Sequence, residues 1–215
     1  MKKNFIVILL FSSCCTVCYG QKWNYGVEFG YTYNTIHASK LKGTGKLGFR
    51  IGGILNYSFK NNVLLESGIA YERKGGNLKS NDIASLRITE VDVYNMDYLN
   101  FPFLIGYKIH AGNKLYLYPQ LGWYLNVGLR GSGTVSGIDR WGQPYTSGID
   151  AFRTYNDAGT YRPFNRIDTG CLLSMNVQYK AFRIKCTYEL GINTMHSTYD
   201  NPYNRTIGLA LGYIL

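Results

Sequence analysis

Three histidines, His37, His110 and His196, are the side chains best suited to acid–base or metal chemistry in this sequence. No two of them have metal-ligand spacing and no cysteine lies near them, so we predict neither a metal site nor a cofactor. His196 precedes Ser197, and these residue types cooperate in hydrolysis when an acid orients the histidine. Because neighbouring residues on a strand point to opposite faces, this pair does not fit that arrangement. We therefore predict that the chain is not an enzyme.

A glycine-rich stretch at 43–48 reads GTGKLG and matches the dinucleotide-binding fingerprint. That fingerprint works only where a strand precedes it and a helix follows it, so that the helix N-terminus meets the phosphates. Here the stretch leads into an alternating, strand-like segment. We interpret it as a loop hinge, without a nucleotide.

The first twenty residues have the features of a secretory signal peptide. Lys2 and Lys3 precede a short apolar run at 5–11, and small residues end the segment at Gly20. The apolar run is too short to cross a bilayer. We predict a signal peptide at 1–20 and one domain at 21–215. A lipoprotein signal at Cys14 is the less favoured alternative, because the residues before it fit a lipobox poorly.

The charge is basic but dispersed. The formal net charge is +10, and it falls to +8 when Lys2 and Lys3 leave with the signal. The cations form no basic helix or arm, so we expect no nucleic-acid partner. In an exported membrane protein, a basic exterior more simply faces lipid phosphates.

The rest of the sequence alternates between large and small or polar residues, which is the period of β-strands. It contains 20 Tyr, 10 Phe and 25 Gly but only 5 Pro. The alternating segments lie at 23–33, 47–59, 63–71, 99–107, 115–127, 167–179, 182–192 and 205–215. Most are near the ~9–11 residues that a tilted membrane strand needs. The sequence predicts an all-β fold, an eight-stranded antiparallel up-and-down transmembrane β-barrel.

The connections between these segments alternate strictly in length. Short turns lie at 60–62, around 110–112 and at 180–181. Longer connections lie at about 34–46, 72–97, 128–166 and 193–204. Short periplasmic turns and long outer loops are typical of outer-membrane barrels. We therefore expect a multi-pass protein of a bacterial outer membrane with both termini in the periplasm.

The two faces of the strands differ in size and charge. A barrel of eight strands has an interior that side chains just fill, so we assign the small and charged face to the lumen. Buried charges must be paired, and we predict a salt-bridge network that plugs the lumen. Its expected members are Glu28, Arg50, Glu66, Glu72, Lys108, Asp168, Arg183, Lys185 and Glu189. We favour a network that only keeps the barrel closed over a proton or ion path.

Cys171 and Cys186 fall on the lipid face of neighbouring strands. If residues 180–181 form a two-residue turn, Cys171 faces Leu190 and Cys186 faces Met175. The two cysteines are then about 13 Å apart along the strands, beyond the ~7 Å between Cα atoms that a disulfide tolerates. We predict two free thiols.

The connection at 129–166 is the strongest candidate for a binding element. Long loops are often functional, and Tyr, Trp and Arg are the residues that most often anchor binding. A mobile cap, or a shield against lipid head groups, is an equally good interpretation. The candidate binding residues are Arg140, Trp141, Arg153, Tyr155, Tyr161 and Arg162.

Several of these strands resemble the PorT-like outer-membrane barrels of Bacteroidetes. The stretch 98–108 reads YLNFPFLIGYK and is similar to a recurring strand of that family. Shorter similarities lie at 167–170, 188–193 and 208–213. Leu215 departs from the pattern, since such barrels usually end in Phe. The resemblance implies an outer-membrane beta-barrel domain. Some members of that family are implicated in secretion and gliding machinery.

Taken together, these features predict a structural or binding barrel that acts through long outer loops. A component of a secretion or gliding assembly is the alternative, and a lipid-acting barrel enzyme is less favoured. The expected partners are outer-membrane lipid and lipopolysaccharide, the barrel-assembly machinery and an envelope protein.

Overall fold

The computed structural model describes residues 22–37, 41–80, 88–138, 141–153, 164–193 and 203–215. The predicted signal peptide lies outside this part of the chain. The described part forms ten strands. They are β1 (Lys22–His37), β2 (Leu41–Ser58), β3 (Val63–Ser80), β4 (Ile88–Tyr107), β5 (Ile109–Gly112), β6 (Leu115–Ile138), β7 (Pro144–Asp150), β8 (Ile167–Tyr179), β9 (Phe182–Gly191) and β10 (Tyr203–Ile214). No helix in these ranges is long and apolar enough to cross a membrane.

Eight of the strands close into an antiparallel barrel. Each pairs with its neighbours in the order β1, β2, β3, β4, β6, β8, β9 and β10, and β10 returns to pair with β1. The short β5 and the outlying β7 both pair with β6, at opposite ends of that strand. The predicted fold class is therefore confirmed. The two extra strands are additions that the alternation did not predict.

The register around the barrel defines the tilt of its strands. A path of directly paired residues starts at Tyr25 on β1, crosses all eight strands and returns to β1 at Thr35, ten residues further along. The path runs through Tyr25, Leu55, Ser67, Phe103, Trp123, Cys171, Leu190, Arg205 and Thr35. Such a stagger requires strands tilted by roughly 35–45° to the barrel axis. Tilted strands need about 9–11 residues to cross the hydrocarbon layer.

Large apolar side chains face outward and polar ones face the lumen. Leu121 and Leu209 on the outer face are 56 % and 57 % exposed, whereas Arg183 and Glu66 on the inner face are buried at 2 % each. The apolar outer band runs from Trp23 to Tyr33 on β1, which matches the thickness of a membrane. The predicted assignment of the small and charged face to the lumen is therefore confirmed.

Several connections predicted as loops contain strand. The regions 34–46, 72–97 and 129–166 contain the outer ends of β1 to β4, the last ten residues of β6 and the whole of β7. The prediction of loops there was wrong because β-bulges break the period of two within the paired strands. The 43–48 stretch likewise lies inside β2 and is not a loop hinge.

The tight turns and the cysteines follow the predicted register. Lys180 adopts a left-handed conformation with φ of 54° in the turn between β8 and β9. Cys171 pairs with Leu190 and Cys186 pairs with Met175. Both cysteines are exposed free thiols, so this prediction is confirmed.

Candidate functional site

The half of the lumen nearer the short turns contains a balanced cluster of four charges, which we call the lower cluster. Arg183 lies 2.6 Å from Glu66 and 3.7 Å from Glu28. Lys185 lies 2.8 Å from Glu66 and 3.3 Å from Glu28. Gln120 donates a further hydrogen bond to Glu66 at 3.2 Å. Two carboxylates therefore neutralise two cations in a site that is closed to solvent.

The half nearer the long strand ends contains an upper cluster of five charges. Arg50 lies 2.5 Å from Glu189 and 3.2 Å from Glu72. Lys74 lies 2.7 Å from Glu189, 3.7 Å from Glu72 and 3.9 Å from Asp168. Three carboxylates thus face two cations, and one oxygen of Glu72 has no hydrogen-bond partner. The upper cluster therefore carries one more acid than base.

Sequence reasoning missed Lys74, although it is fully buried in the upper cluster. It follows Tyr71 by three residues and lies on the inner face of β3, at a position predicted as loop. Its ammonium group also lies 5.3 Å from the ring centre of Tyr124 and 5.9 Å from that of Tyr98. Extending the alternation of β3 by three residues would have identified it.

Lys108 lies apart from both clusters. It is half-buried just after the end of β4 at the short-turn rim. Its ammonium group lies 4.0 Å from the ring centre of Tyr116 and 5.8 Å from that of Tyr118. The other eight predicted network residues all lie in the lower or upper cluster.

Buried amides extend each of the two clusters. Asn176 donates to Gln120 at 2.6 Å, which links β8 to the lower cluster through β6. Asn100 donates to Asn126 at 2.6 Å, and Asn126 donates to Asp168 at 3.1 Å. These hydrogen bonds join the neighbouring strands β4, β6 and β8 along the inner wall of the barrel.

An apolar cap covers the lumen beyond the upper cluster. Phe152, in the segment after β7, packs edge-on against Tyr98 with ring centres 5.6 Å apart. Its buried neighbours are Ile36, Met96, Tyr98, Ala151 and Phe164. A Cβ atom at Gly128 would lie 2.6 Å from the Phe152 ring, so a larger residue there would displace the ring. The cap was not predicted from the sequence.

A small cavity lies in the wall of the lumen between the two clusters. A cavity of about 10 Å³ lies beside Arg50 and Lys185, with Thr32 and Thr187 in its wall. A volume of that size holds about one water molecule at most. The described lumen contains ion pairs, amides and an apolar cap.

The predicted loop residues are only partly described. Trp141 is 76 % exposed, and Arg153 is exposed just after β7. Arg140, Tyr155, Tyr161, Arg162 and His196 lie outside the described residues. Within the described ranges, no group of three or more His, Cys, Asp or Glu side chains could hold a metal ion.

A closed barrel with an apolar exterior and an ion-paired interior defines an integral protein of a bacterial outer membrane. The chain belongs to the family described as "Outer membrane protein beta-barrel domain", whose pattern matches residues 19–197. No curated protein sequence matches it.

Solved outer-membrane barrels are similar to this chain at low sequence identity. OprG from Pseudomonas aeruginosa is 12 % identical, with a TM-score of 0.50 over 91 % of this chain and 97 % of its own. Ail, the attachment invasion locus protein of Yersinia pestis, is 17 % identical, with a TM-score of 0.42 over 90 % and 99 %. Neisserial surface protein A is 14 % identical, with a TM-score of 0.42 over 92 % and 99 %.

Proposed function

We propose that this chain is a cell-surface binding barrel with a plugged lumen and with both termini in the periplasm. The observation that carries the proposal is the contrast between the membrane-spanning part of the barrel and the part that extends beyond the membrane. The membrane-spanning part contains buried ion pairs, and the Phe152 cap lies beyond them. Beyond the apolar band, β2, β3, β4, β6 and β7 continue as a paired sheet. A barrel that transports nothing through its lumen still holds this sheet at a constant position outside the membrane.

The edge of the sheet supports a binding role. β7 pairs only with β6 among the described strands, and most of its residues are exposed. Trp141 lies in the turn before it and Arg153 follows it. Exposed Trp, Tyr and Arg side chains are the residue types that anchor protein partners. The proposed binding surface is this edge together with the remaining predicted residues Arg140, Tyr155, Tyr161 and Arg162.

Two other roles follow from the resemblance and from the membrane setting. The resemblance to PorT-like barrels favours an envelope protein partner in a secretion or gliding assembly, which co-purification from detergent-solubilised membranes would reveal. In a lipid-acting enzyme, His196 beside Ser197 would be the candidate base, and unchanged lipid hydrolysis in His196→Ala would exclude it. Insertion through the barrel-assembly machinery is proposed on the fold alone.

The orientation is tested with single cysteines in a Cys171→Ser/Cys186→Ser background. We expect Trp141→Cys to react with a membrane-impermeant maleimide on intact cells, because the sheet faces outward. Lys180→Cys, in the turn between β8 and β9, is the matched control and should react only after the outer membrane is permeabilised. The opposite labelling pattern would show that the orientation is reversed.

The plugged lumen is tested by electrical recording. We expect the purified barrel, reconstituted in a planar lipid bilayer, to show no steady ion conductance, because buried ion pairs and the cap occupy its cross-section. A general porin inserted in the same bilayer is the positive control. Reproducible single-channel openings of the wild-type protein would contradict the proposal.

A further inference from the structure

Two arginines share one carboxylate on the outer surface, where the apolar band ends. Arg73 is the next outward side chain after Tyr71 on β3, and Asp97 is the next one beyond Leu99 on β4. Arg73 pairs with Asp97 across the strands, and Asp97 pairs with Arg130 on β6. The three side chains therefore form one row across three neighbouring strands.

The arginines are held in fixed positions by a buried acceptor. Arg73 donates to Asp97 through Nε at 2.7 Å and through Nη2 at 3.2 Å. Arg130 donates to the same carboxylate through Nε at 2.6 Å. The Asp97 side chain is only 2 % exposed, whereas that of Arg130 is 76 % exposed. Asp97 therefore orients two guanidinium groups. The sides of these groups that point away from Asp97 face the exterior of the barrel.

Both polar and apolar side chains surround the pair formed by Arg73 and Arg130. The Arg73 guanidinium lies 5.5 Å from the ring centre of Phe49 and donates to the Tyr71 hydroxyl at 3.1 Å. Directly toward the membrane, Tyr71, Leu99 and Val127 form a paired apolar row. A ligand bound to the arginines would thus have its head group at the boundary and its hydrocarbon chains against this row.

We propose that Arg73 and Arg130 form a binding site for the phosphate monoester of lipid A in the outer leaflet. Guanidinium groups match phosphate oxygens with paired donors. Two arginines and one aspartate carry a net charge of +1, which suits a phosphate monoester with about −1.5 to −2 charges better than a singly charged phosphodiester. The proposal rests on the proposed orientation, since the opposite leaflet offers chiefly phosphodiester lipids.

Arg205 provides the matched control. It also lies on the outer face, on β10, and its guanidinium lies 5.5 Å from the Tyr203 ring centre. It is separated from Arg73 by β1 and β2, and among the described residues it shares no carboxylate with a second arginine. Removing Arg205 changes the net charge as much as removing Arg130 does, but leaves the proposed site intact.

The test is binding of diphosphoryl lipid A to the folded protein in detergent, measured by native mass spectrometry. We expect Arg130→Gln to weaken binding by at least about tenfold, since hydrogen bonds between charged groups are about twice as strong as neutral ones. Arg205→Gln should change it by less than about twofold. Arg130→Lys keeps the charge but loses the planar fork, so it should bind between wild type and Arg130→Gln.

Three further ligands test which chemical group of lipid A the site recognises. We expect dephosphorylated lipid A and phosphatidylglycerol to bind weakly, and free inorganic phosphate to compete only at high concentration. Equal losses in Arg130→Gln and Arg205→Gln, or equal binding of dephosphorylated lipid A, would overturn the site.

Migration that changes on heating confirms that each variant is folded. The cysteine labelling on intact cells reports the orientation separately, so failure of the site and failure of the proposed function are distinguishable.

Discussion

Glu66→Gln is expected to destabilise the barrel by about 3–5 kcal/mol, the typical cost of leaving a buried charge without its partner. Glu66 accepts bonds from both cations of the lower cluster, Arg183 and Lys185. Without its charge, Glu28 alone would face two buried cations. The free energy of unfolding is to be measured by urea titration of the protein in lipid vesicles.

Glu72→Gln is the matched control, because it makes the same chemical change in the upper cluster. That cluster has three carboxylates and two cations, so neutralising Glu72 leaves it balanced. Arg50 and Lys74 both keep their shorter contacts to Glu189. We expect a loss of less than about 1 kcal/mol, the net value of one hydrogen bond.

A charge-restoring double variant separates electrostatics from packing. Glu66→Gln combined with Lys185→Met removes one charge of each sign from the lower cluster, so it should recover part of the stability lost in Glu66→Gln. Equal stabilities of Glu66→Gln and Glu72→Gln would mean that local charge balance does not govern this lumen.

Leu121→Arg is expected to destabilise the inserted barrel by about 2–4 kcal/mol, the cost of a cation on the lipid face near the bilayer midplane. Leu121 lies on β6, with outward apolar side chains continuing along the strand on both sides of it. It is 56 % exposed on the outer face, and an arginine there would be placed in hydrocarbon.

Leu47→Arg provides the comparison at the membrane boundary. Leu47 is 80 % exposed and lies two residues beyond Phe49, which flanks Arg73. A cation at that depth costs only about 0–1 kcal/mol. Both variants are compared by urea titration in vesicles. Similar losses at the two positions would place the hydrocarbon layer elsewhere on the barrel.

Local alternation was sufficient to identify the eight strands, their faces and the register of the tightest hairpin. Residues two apart share a face whatever the rest of the chain does, so Leu121 and Leu209 could be assigned to lipid from their neighbours. A two-residue turn also fixes which residues lie opposite each other, and Cys171 could therefore be placed opposite Leu190.

The length of the strands could not be predicted from the same alternation. Bulges between Gly45 and Phe49 and between Lys74 and Gly76 interrupt the period of two. Beyond the membrane the outer face no longer needs large apolar residues, so the contrast between faces fades. Pairing with neighbouring strands, rather than local composition, maintains β structure there.

The sequence by itself determined that charges would be buried in a narrow lumen, because the charged residues share the face with small ones. Only the tertiary structure decided which charges meet. Arg183 and Glu66 are 117 residues apart, and their contact depends on the ten-residue stagger that closes the barrel. That stagger belongs to the closed sheet as a whole, so no segment encodes it alone. The Phe152 cap and the Arg73–Asp97–Arg130 row arise in the same way, from strands brought together by closure.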